Sequence, residues 1–357
     1  MNKNSRETLQ TEAIILLKDL ITTPSFSKEE NDTADLICAF FSSHDISFAR
    51  VGNNVYAHNK NYQSSRKSIL LNSHHDTVRP NKAYSMDPFT PFVKDGKLYG
   101  LGSNDAGGCL VSLAAVFLHY YDKEDPKYNI VFAASAEEEI SGVNGIELVL
   151  PYLGQIDFGI VGEPTKLEMA VAERGLMVID CIAPGRPGHA ARNEGENALY
   201  KAIEDIEWIR NYRFGKKSEL LGETRMSVTV IETENKQHNV VPAQCKFVID
   251  VRVNELYSFE EILEALKVNL KSSFKPRTTR MKSTSIPLDH PLVLSGIRLG
   301  KRYYGSPTTS DKALMPFPAL KMGPGDSARS HTADEYIYME EIKDGITTYI
   351  KLLDEFL

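Results

Sequence analysis

Apolar residues recur at helical spacing across residues 11–20 and 33–41, so the first 50 residues read as helical. Beyond them, short apolar runs alternate with helical patterns. Ser68-Ile-Leu-Leu-Asn72, Asn129-Ile-Val-Phe-Ala-Ala134 and Phe158-Gly-Ile-Val-Gly162 read as buried strands, with Ala319-Leu-Lys-Met322 as a fourth. Residues 106–121 read as a helix that opens on Gly107 and Gly108. Strands separated by helices predict βαβ units and an α/β domain with a mainly parallel sheet.

The rhythm changes between residues 176 and 283. Strands are expected at 176–182, 225–231 and 244–253, the last with clear in/out alternation, and amphipathic helices at 197–212 and 259–270. With a final strand expected near Arg280, the order is β-α-β-β-α-β, that of a ferredoxin-like α+β module. The chain therefore divides into 1–175, an inserted 176–283, and 284–357, the outer two segments forming one domain. The basic run Lys275-Pro-Arg-Thr-Thr-Arg280 is expected to be a solvated loop.

Composition narrows the classes of function. A chain of 357 residues suggests two domains, and 42% hydrophobic with 25% charged residues is ordinary for a globular protein. The net charge of -7 argues against a nucleic-acid partner, which usually calls for a basic excess. No apolar run approaches the roughly 18 residues that span a bilayer, so no membrane role is expected. The N-terminus lacks the apolar core of a signal peptide, which implies a cytoplasmic protein. Cys38, Cys109, Cys181 and Cys245 include no C-x-x-C pair, so free thiols in a reducing compartment are expected rather than a thiolate zinc site.

The candidate chemistry sits where the first domain's strands end. The first strand leads into Ser73-His74-His75-Asp76, the second into Ala136-Glu137-Glu138-Glu139, the third into Glu163-Pro164-Thr165, and the fourth into Gly323-Pro324-Gly325-Asp326 with His331 beyond. A further turn holds Asn104-Asp105-Ala106-Gly107-Gly108. Singly, each of these is also what a surface turn looks like. Together they place histidine and carboxylate groups at the carboxyl ends of several strands, where open α/β sheets gather functional groups. Nitrogen and oxygen donors without sulfur suit zinc or a related divalent ion.

At these residues the sequence resembles the M20 metallopeptidases and deacylases. The resemblance rests on Leu71-Asn-Ser-His-His-Asp76, Gly102-Ser-Asn-Asp-Ala-Gly-Gly108, Glu137-Glu-Glu139, Gly162-Glu-Pro-Thr165, residues 185–197 and residues 323–335. It implies a catalytic α/β domain interrupted by a dimerisation domain. It implies that His74, Asp105, Glu139, Glu163 and His331 hold two zinc ions, for which cobalt could substitute. Asp105 would be shared, His74 and Glu163 would complete one site, and Glu139 and His331 the other. Glu138 would be the general base. Asp76 would hydrogen-bond the His74 ring and fix its tautomer. His75 has no counterpart role and is expected to fill space.

The inserted segment carries further positions by the same resemblance. His189, in Gly185-Arg-Pro-Gly-His189, would reach the partner's active site in a homodimer and stabilise the oxyanion. Asn239 would contact substrate across the dimer, and Arg174 and Arg252 would bind the substrate carboxylate through their planar forks. Two departures, Ala106-Gly107 after Asp105 and Ile140-Ser141 after the glutamates, bear on substrate preference rather than on ligands. Length and domain order are most similar to those of acetylornithine deacetylases, which implies deacetylation of N-acetylornithine in arginine biosynthesis. The acyl group could be succinyl. Alternatives are succinyl-diaminopimelate desuccinylase, an M20 carboxypeptidase or dipeptidase, and a catalytically silent amino-acid-binding homologue.

Overall fold

A computed structural model describes residues 5–192 and 194–357. The chain forms two compact units, one from Met1–Val171, Ile286–Tyr304 and Ser310–Leu357, the other from Ala172–Ser285 and Gly305–Thr309.

The first unit is built on a mixed sheet. Its strands run in the order Phe48–Val51, Asn54–His58, Asn129–Ser135, Ser68–His74, Phe158–Val161, Ala319–Lys321, Met169–Glu173. The four from Asn129–Ser135 to Ala319–Lys321 pair in parallel, and the flanking pairs are antiparallel. The parallel centre is as expected. The antiparallel pair Phe48–Val51 and Asn54–His58 came from segments without a marked apolar run, whereas Met169–Glu173, on the other side, is a short apolar run buried throughout that the sequence reading did not single out. Phe48–Val51 lies inside the stretch read as helical, and its side chains are at most half-buried. Every residue of Ser68–His74, Asn129–Ser135 and Phe158–Val161 is buried, as in strands covered on both faces.

Helices Arg6–Thr22 and Asn31–Ser43 enclose the two N-terminal helical patterns. The first starts where Ser5 Oγ accepts the Thr8 amide at 3.2 Å. Helix Gly108–Tyr120 is apolar on nearly every side because it packs between the sheet and the helices Arg6–Thr22 and Met339–Leu353. It begins two residues later than expected. Residues Ser103–Gly107 form a wide turn, in which Asp105 has extended angles (φ -118°, ψ 98°). Gly107 is needed there, since a Cβ would lie 2.5 Å from the Gly102 carbonyl oxygen.

The second unit has a four-stranded antiparallel sheet ordered Arg225–Glu232, Gln244–Val253, Gly175–Pro184, Ser273–Pro276. Helices Ala198–Asn211 and Phe259–Asn269 cover one face of it. Strict alternation buries Cys245, Phe247, Ile249, Val251 and Val253 on that face. The helix Phe259–Asn269 opens on a capping box, Ser258 with Glu261. The last strand is not near Arg280 but at Ser273–Pro276, so Lys275 and Pro276 are not loop residues. Proline is tolerated because this is an edge strand, where a missing N–H need not face a neighbour. Arg277 is tied to Asp180 by a forked hydrogen bond, so the basic run is partly neutralised.

Candidate active site

Each parallel strand of the first unit delivers one part of the site at its carboxyl end. His74 closes Ser68–His74, the turn after Asn129–Ser135 carries Glu137, Glu138 and Glu139, and Glu163 follows Phe158–Val161. The segment after Ala319–Lys321 carries His331, and the turn before helix Gly108–Tyr120 supplies Asp105.

The distances show one cluster. His74 Nε2 lies 3.3 Å from Asp105 Oδ1, 3.8 Å from Glu163 Oε1 and 3.9 Å from Glu138 Oε2. His331 Nε2 lies 3.0 Å from Glu139 Oε2 and 3.7 Å from Asp105 Oδ2. Asp105 therefore turns one oxygen to each histidine. Two groups have donor atoms close enough to share an ion: His74 with Glu138 and Glu163, and His74 with Asp105 and Glu139. His74 is almost fully enclosed, whereas His331 is exposed on one side.

The tautomer of His74 follows from its other nitrogen. Nδ1 is 3.0 Å from the Asp76 carbonyl oxygen, which can only accept, so Nδ1 carries a proton and Nε2 faces the carboxylates. The Asp76 carboxylate is near the ring too, at 3.3 Å, but it does more than the sequence suggested. It accepts the Glu138 amide at 3.0 Å, the Glu139 amide at 3.2 Å and the Ser27 hydroxyl at 2.7 Å. One buried side chain thus fixes His74 and the backbone of both glutamates. Glu30, which the motif reading missed, steadies the same turn by accepting the Glu137 amide at 3.2 Å. Its signal was faint, one of several acidic residues around the start of the second helix.

His75 is not simply a space filler. Its Nε2–H donates to the Asn53 carbonyl at 2.9 Å, and Nδ1 accepts from the Thr33 hydroxyl at 2.9 Å. Burial pushes its ring down to about 4, so it stays neutral and serves as a polar strut.

The electrostatics are those of a crowded anionic centre. Burial, and then the charges of Glu163, Asp311 and Glu139, hold Glu138 well above the usual carboxyl range, against the pull of His74. Burial pushes Glu163 up to about 8, with Asp105 and Glu139 adding to it against Lys321 and His74. Glu139 is also raised, mainly by burial. Burial works against the charged form of His74, yet hydrogen bonds to Asp105 and Asp76 hold it well above its usual value. Asp105 is lowered, because the hydrogen bond and charge of His74, with Ser330 and His331, overcome its own burial.

The second unit holds the remaining predicted residues. His189 and Asn239 are exposed and close in space, since Gly188–His189 pairs with Val240–Val241 and the Ala190 amide donates to the Asn239 carbonyl at 3.0 Å. Arg174 donates from Nε and Nη2 to the Leu221 carbonyl. Arg252 forks onto Asp250 at 2.8 and 3.1 Å. Arg225, which the motif reading missed, is the register partner of Arg252, and after burial its charge is the next influence lowering Arg174. Its place was hidden because nothing in the sequence reveals cross-strand register.

Acid and imidazole donors at the ends of parallel strands, with an inserted α+β unit, define a metallohydrolase. Residues 70–355 match peptidase family M20/M25/M40, and the chain belongs to that family of metal-dependent amidohydrolases. It is 25% identical over 285 residues to succinyl-diaminopimelate desuccinylase 2 of Ruegeria sp. (strain TM1040), covering 74% of this chain and 71% of that one. Its fold is similar to that of a tripeptidase from Staphylococcus aureus subsp. aureus mu50, with TM-score 0.78, 18% identity, and 97% and 98% of the two chains covered. It is also similar to the Bacillus subtilis YXEP protein, a dinuclear metal binding peptidase of the family, with TM-score 0.73, 15% identity, and 98% and 100% covered. Among the described residues, no helix is long and apolar enough to cross a membrane.

In metal-free protein, the Glu139 carboxylate raises His331 to about 9, against its own burial. The folded value is above the unfolded one of about 6.5. While Glu139 is ionised, the His331 contribution is therefore complete near about 6.5 and is lost as pH rises through about 9. An NMR titration of the His331 ring in chelator-treated protein should give this raised midpoint, and Glu139→Gln should return it toward 6.5. A wild-type ring that already titrates at its usual value would contradict the ion pair.

Proposed function

We propose that the chain hydrolyses the amide of an N-acyl amino acid, with His74, Asp105, Glu139, Glu163 and His331 holding two divalent ions, zinc or cobalt. The observation that carries this reading is Asp105, whose two oxygens face His74 and His331 at 3.3 and 3.7 Å. A shared carboxylate between two histidine-containing sets fits a pair of ions. The donor chemistry fits as well: four carboxyl groups packed around two histidines carry negative charge that a cation offsets, and none of the donors is a thiol. Bound there, the ions would polarise the amide carbonyl and lower the pKa of the attacking water.

The chain's own groups do the rest. Glu138 takes a proton from the water and returns it to the leaving amine. Its carboxyl is enclosed and raised, which suits a group that must hold a proton in mid-reaction. Asp76 keeps Glu138 and Glu139 apart in role by fixing both amides, so that neighbouring side chains take different directions. His189 would stabilise the oxyanion from the partner subunit, and Asn239 would contact substrate there. Arg174 and Arg252, with Arg225 beside them, would bind the substrate's carboxylates.

The relative's name favours a succinyl over an acetyl group, and so an N-succinyl amino acid such as N-succinyl-diaminopimelate ahead of N-acetylornithine. Kinetics on N-succinyl and N-acetyl derivatives of diaminopimelate and ornithine decide this. The N-succinyl compounds should show at least about tenfold higher kcat/KM, the effect of one added charge-assisted contact. Preference for N-acetylornithine would reverse the assignment.

A homodimer through the second unit is part of the same proposal. The edge strand Arg225–Glu232 exposes Val230 and Ile231, and helix Ala198–Asn211 exposes Tyr200 and Ile203. Sedimentation equilibrium should give twice the chain mass, and a fully active monomer would refute the role of His189 in trans.

Glu138→Gln separates the base from the ligands. The amide is nearly isosteric but cannot take the water's proton, so kcat should fall about 10²–10⁴-fold while metal content stays at the wild-type level. Glu139→Gln should instead lose metal. Elemental analysis beside kinetics reads both, and the opposite pattern would mean that the two glutamates exchange roles.

A further inference from the structure

We infer that Glu335 is a positioning residue that aims the Asp105 carboxylate, and so decides whether the two halves of the metal site can share it. This rests on the proposed reading of Asp105 as a shared ligand.

Asp105 lies in the Ser103–Gly107 turn, outside the helix that follows, so no helical ladder sets its direction. What holds the turn is Glu335, a side chain 2% exposed. Its Oε1 accepts the Asn104 amide at 2.8 Å and the Asp105 amide at 2.9 Å, and its Oε2 accepts the Gly102 amide at 3.1 Å. Three amides of one turn thus converge on the one carboxyl group. Both oxygens face backbone N–H groups, so Glu335 is not itself a ligand.

The backbone of Glu335 is fixed to the same loop. Its carbonyl accepts the Gly100 amide at 3.0 Å, which continues the ladder in which Tyr336–Tyr338 pairs with Lys97–Tyr99. Four residues upstream on the same segment, His331 approaches Asp105 Oδ2 at 3.7 Å. Between them, Asp334 accepts the Ser85 amide at 2.8 Å and the Ser85 hydroxyl at 2.5 Å. One short segment therefore brings a histidine to one face of Asp105 and ties down the peptide that carries it. If Glu335 lets go, the turn loses three bonds at once, and the oxygen facing His331 is no longer held opposite the one facing His74.

The test is metal titration of chelator-stripped full-length protein with zinc and with cobalt, read by calorimetry, elemental analysis and, for cobalt, the magnetic coupling between ions. Wild type should take two ions per chain. Glu335→Ala should bind its second ion about 10–100-fold more weakly, the usual effect of removing a partner behind the ligands, and should lose the coupling. Glu335→Gln keeps one oxygen acceptor but sets an NH₂ group against an amide, so it should fall between the two. It also keeps the shape of the side chain and carries the test if the alanine variant does not fold.

Asp205→Asn is the control. Asp205 is a buried carboxylate of the second unit that accepts the Lys271 amide at 3.0 Å and the Ser272 amide at 2.9 Å. That variant should lose thermal stability yet bind both ions as wild type does. Two ions with wild-type affinity and coupling in Glu335→Gln would overturn the inference, as would an equal loss of metal in Asp205→Asn. A wild-type protein that takes no metal would instead refute the proposed function, an outcome distinct from either.

Discussion

Four carboxyl groups and two histidines meet at separations of 3.0 to 3.9 Å, and the first unit is arranged around that crowding. Charges this close in a poorly solvated place repel strongly unless something compensates. Here the compensation is layered. The histidines face the carboxylates directly, and the oxygens of Asp76 and Glu335 are taken up by backbone amides instead of joining that cluster. The carboxyl groups of Glu138, Glu139 and Glu163 are nevertheless raised, chiefly by burial.

The parallel core makes such convergence possible. Parallel strands all point their carboxyl ends to the same edge, so loops far apart in sequence emerge together. His74, Glu138, Glu139, Glu163 and His331 come from four such loops, spread over more than two hundred residues. Strands buried on both faces keep those ends in register. Tight packing behind them allows little drift, as at Phe132, whose ring meets Phe41 edge-on at 5.3 Å. Loops alone would not hold the donors, and two of them are pinned by side chains from other elements: the glutamate turn by Asp76 and Glu30, the Asp105 turn by Glu335.

The second unit follows different rules. Its sheet is antiparallel, one face carries two helices, and its chemistry-bearing residues are exposed or half-buried. Arginines 174, 225 and 252 gather because cross-strand register brings distant residues together, not because any run of sequence is basic. Arg252 is partly spent on Asp250, so the three are not equally free to meet an anion.

Much of the fold was legible in the chain. Unbroken apolar runs gave the buried strands, strict alternation gave Gln244–Val253 residue for residue, and 3.6-residue spacing gave Arg6–Thr22, Asn31–Ser43 and Ala198–Asn211 but not the helix Met339–Leu353. These patterns reflect burial, which is written into composition position by position. The motif residues at the strand ends were also legible, because each is a rare residue type next to a recognisable strand. What the sequence did not reveal were features defined by pairing. The antiparallel strands Phe48–Val51 and Asn54–His58 lack their own apolar signature, and Ser273–Pro276 hides behind a lysine and a proline that an edge position tolerates. The partners of Asp76, Glu30 and Glu335 are main-chain amides, which are identical at every position and leave no trace in a sequence. The residue types available to the site were thus set by the chain itself. Which oxygen faces which histidine, and which buried carboxylate holds the backbone rather than a ligand position, was decided only when the strands came together in three dimensions, because hydrogen-bond geometry depends on atoms that sequence separates and folding alone brings within 3 Å.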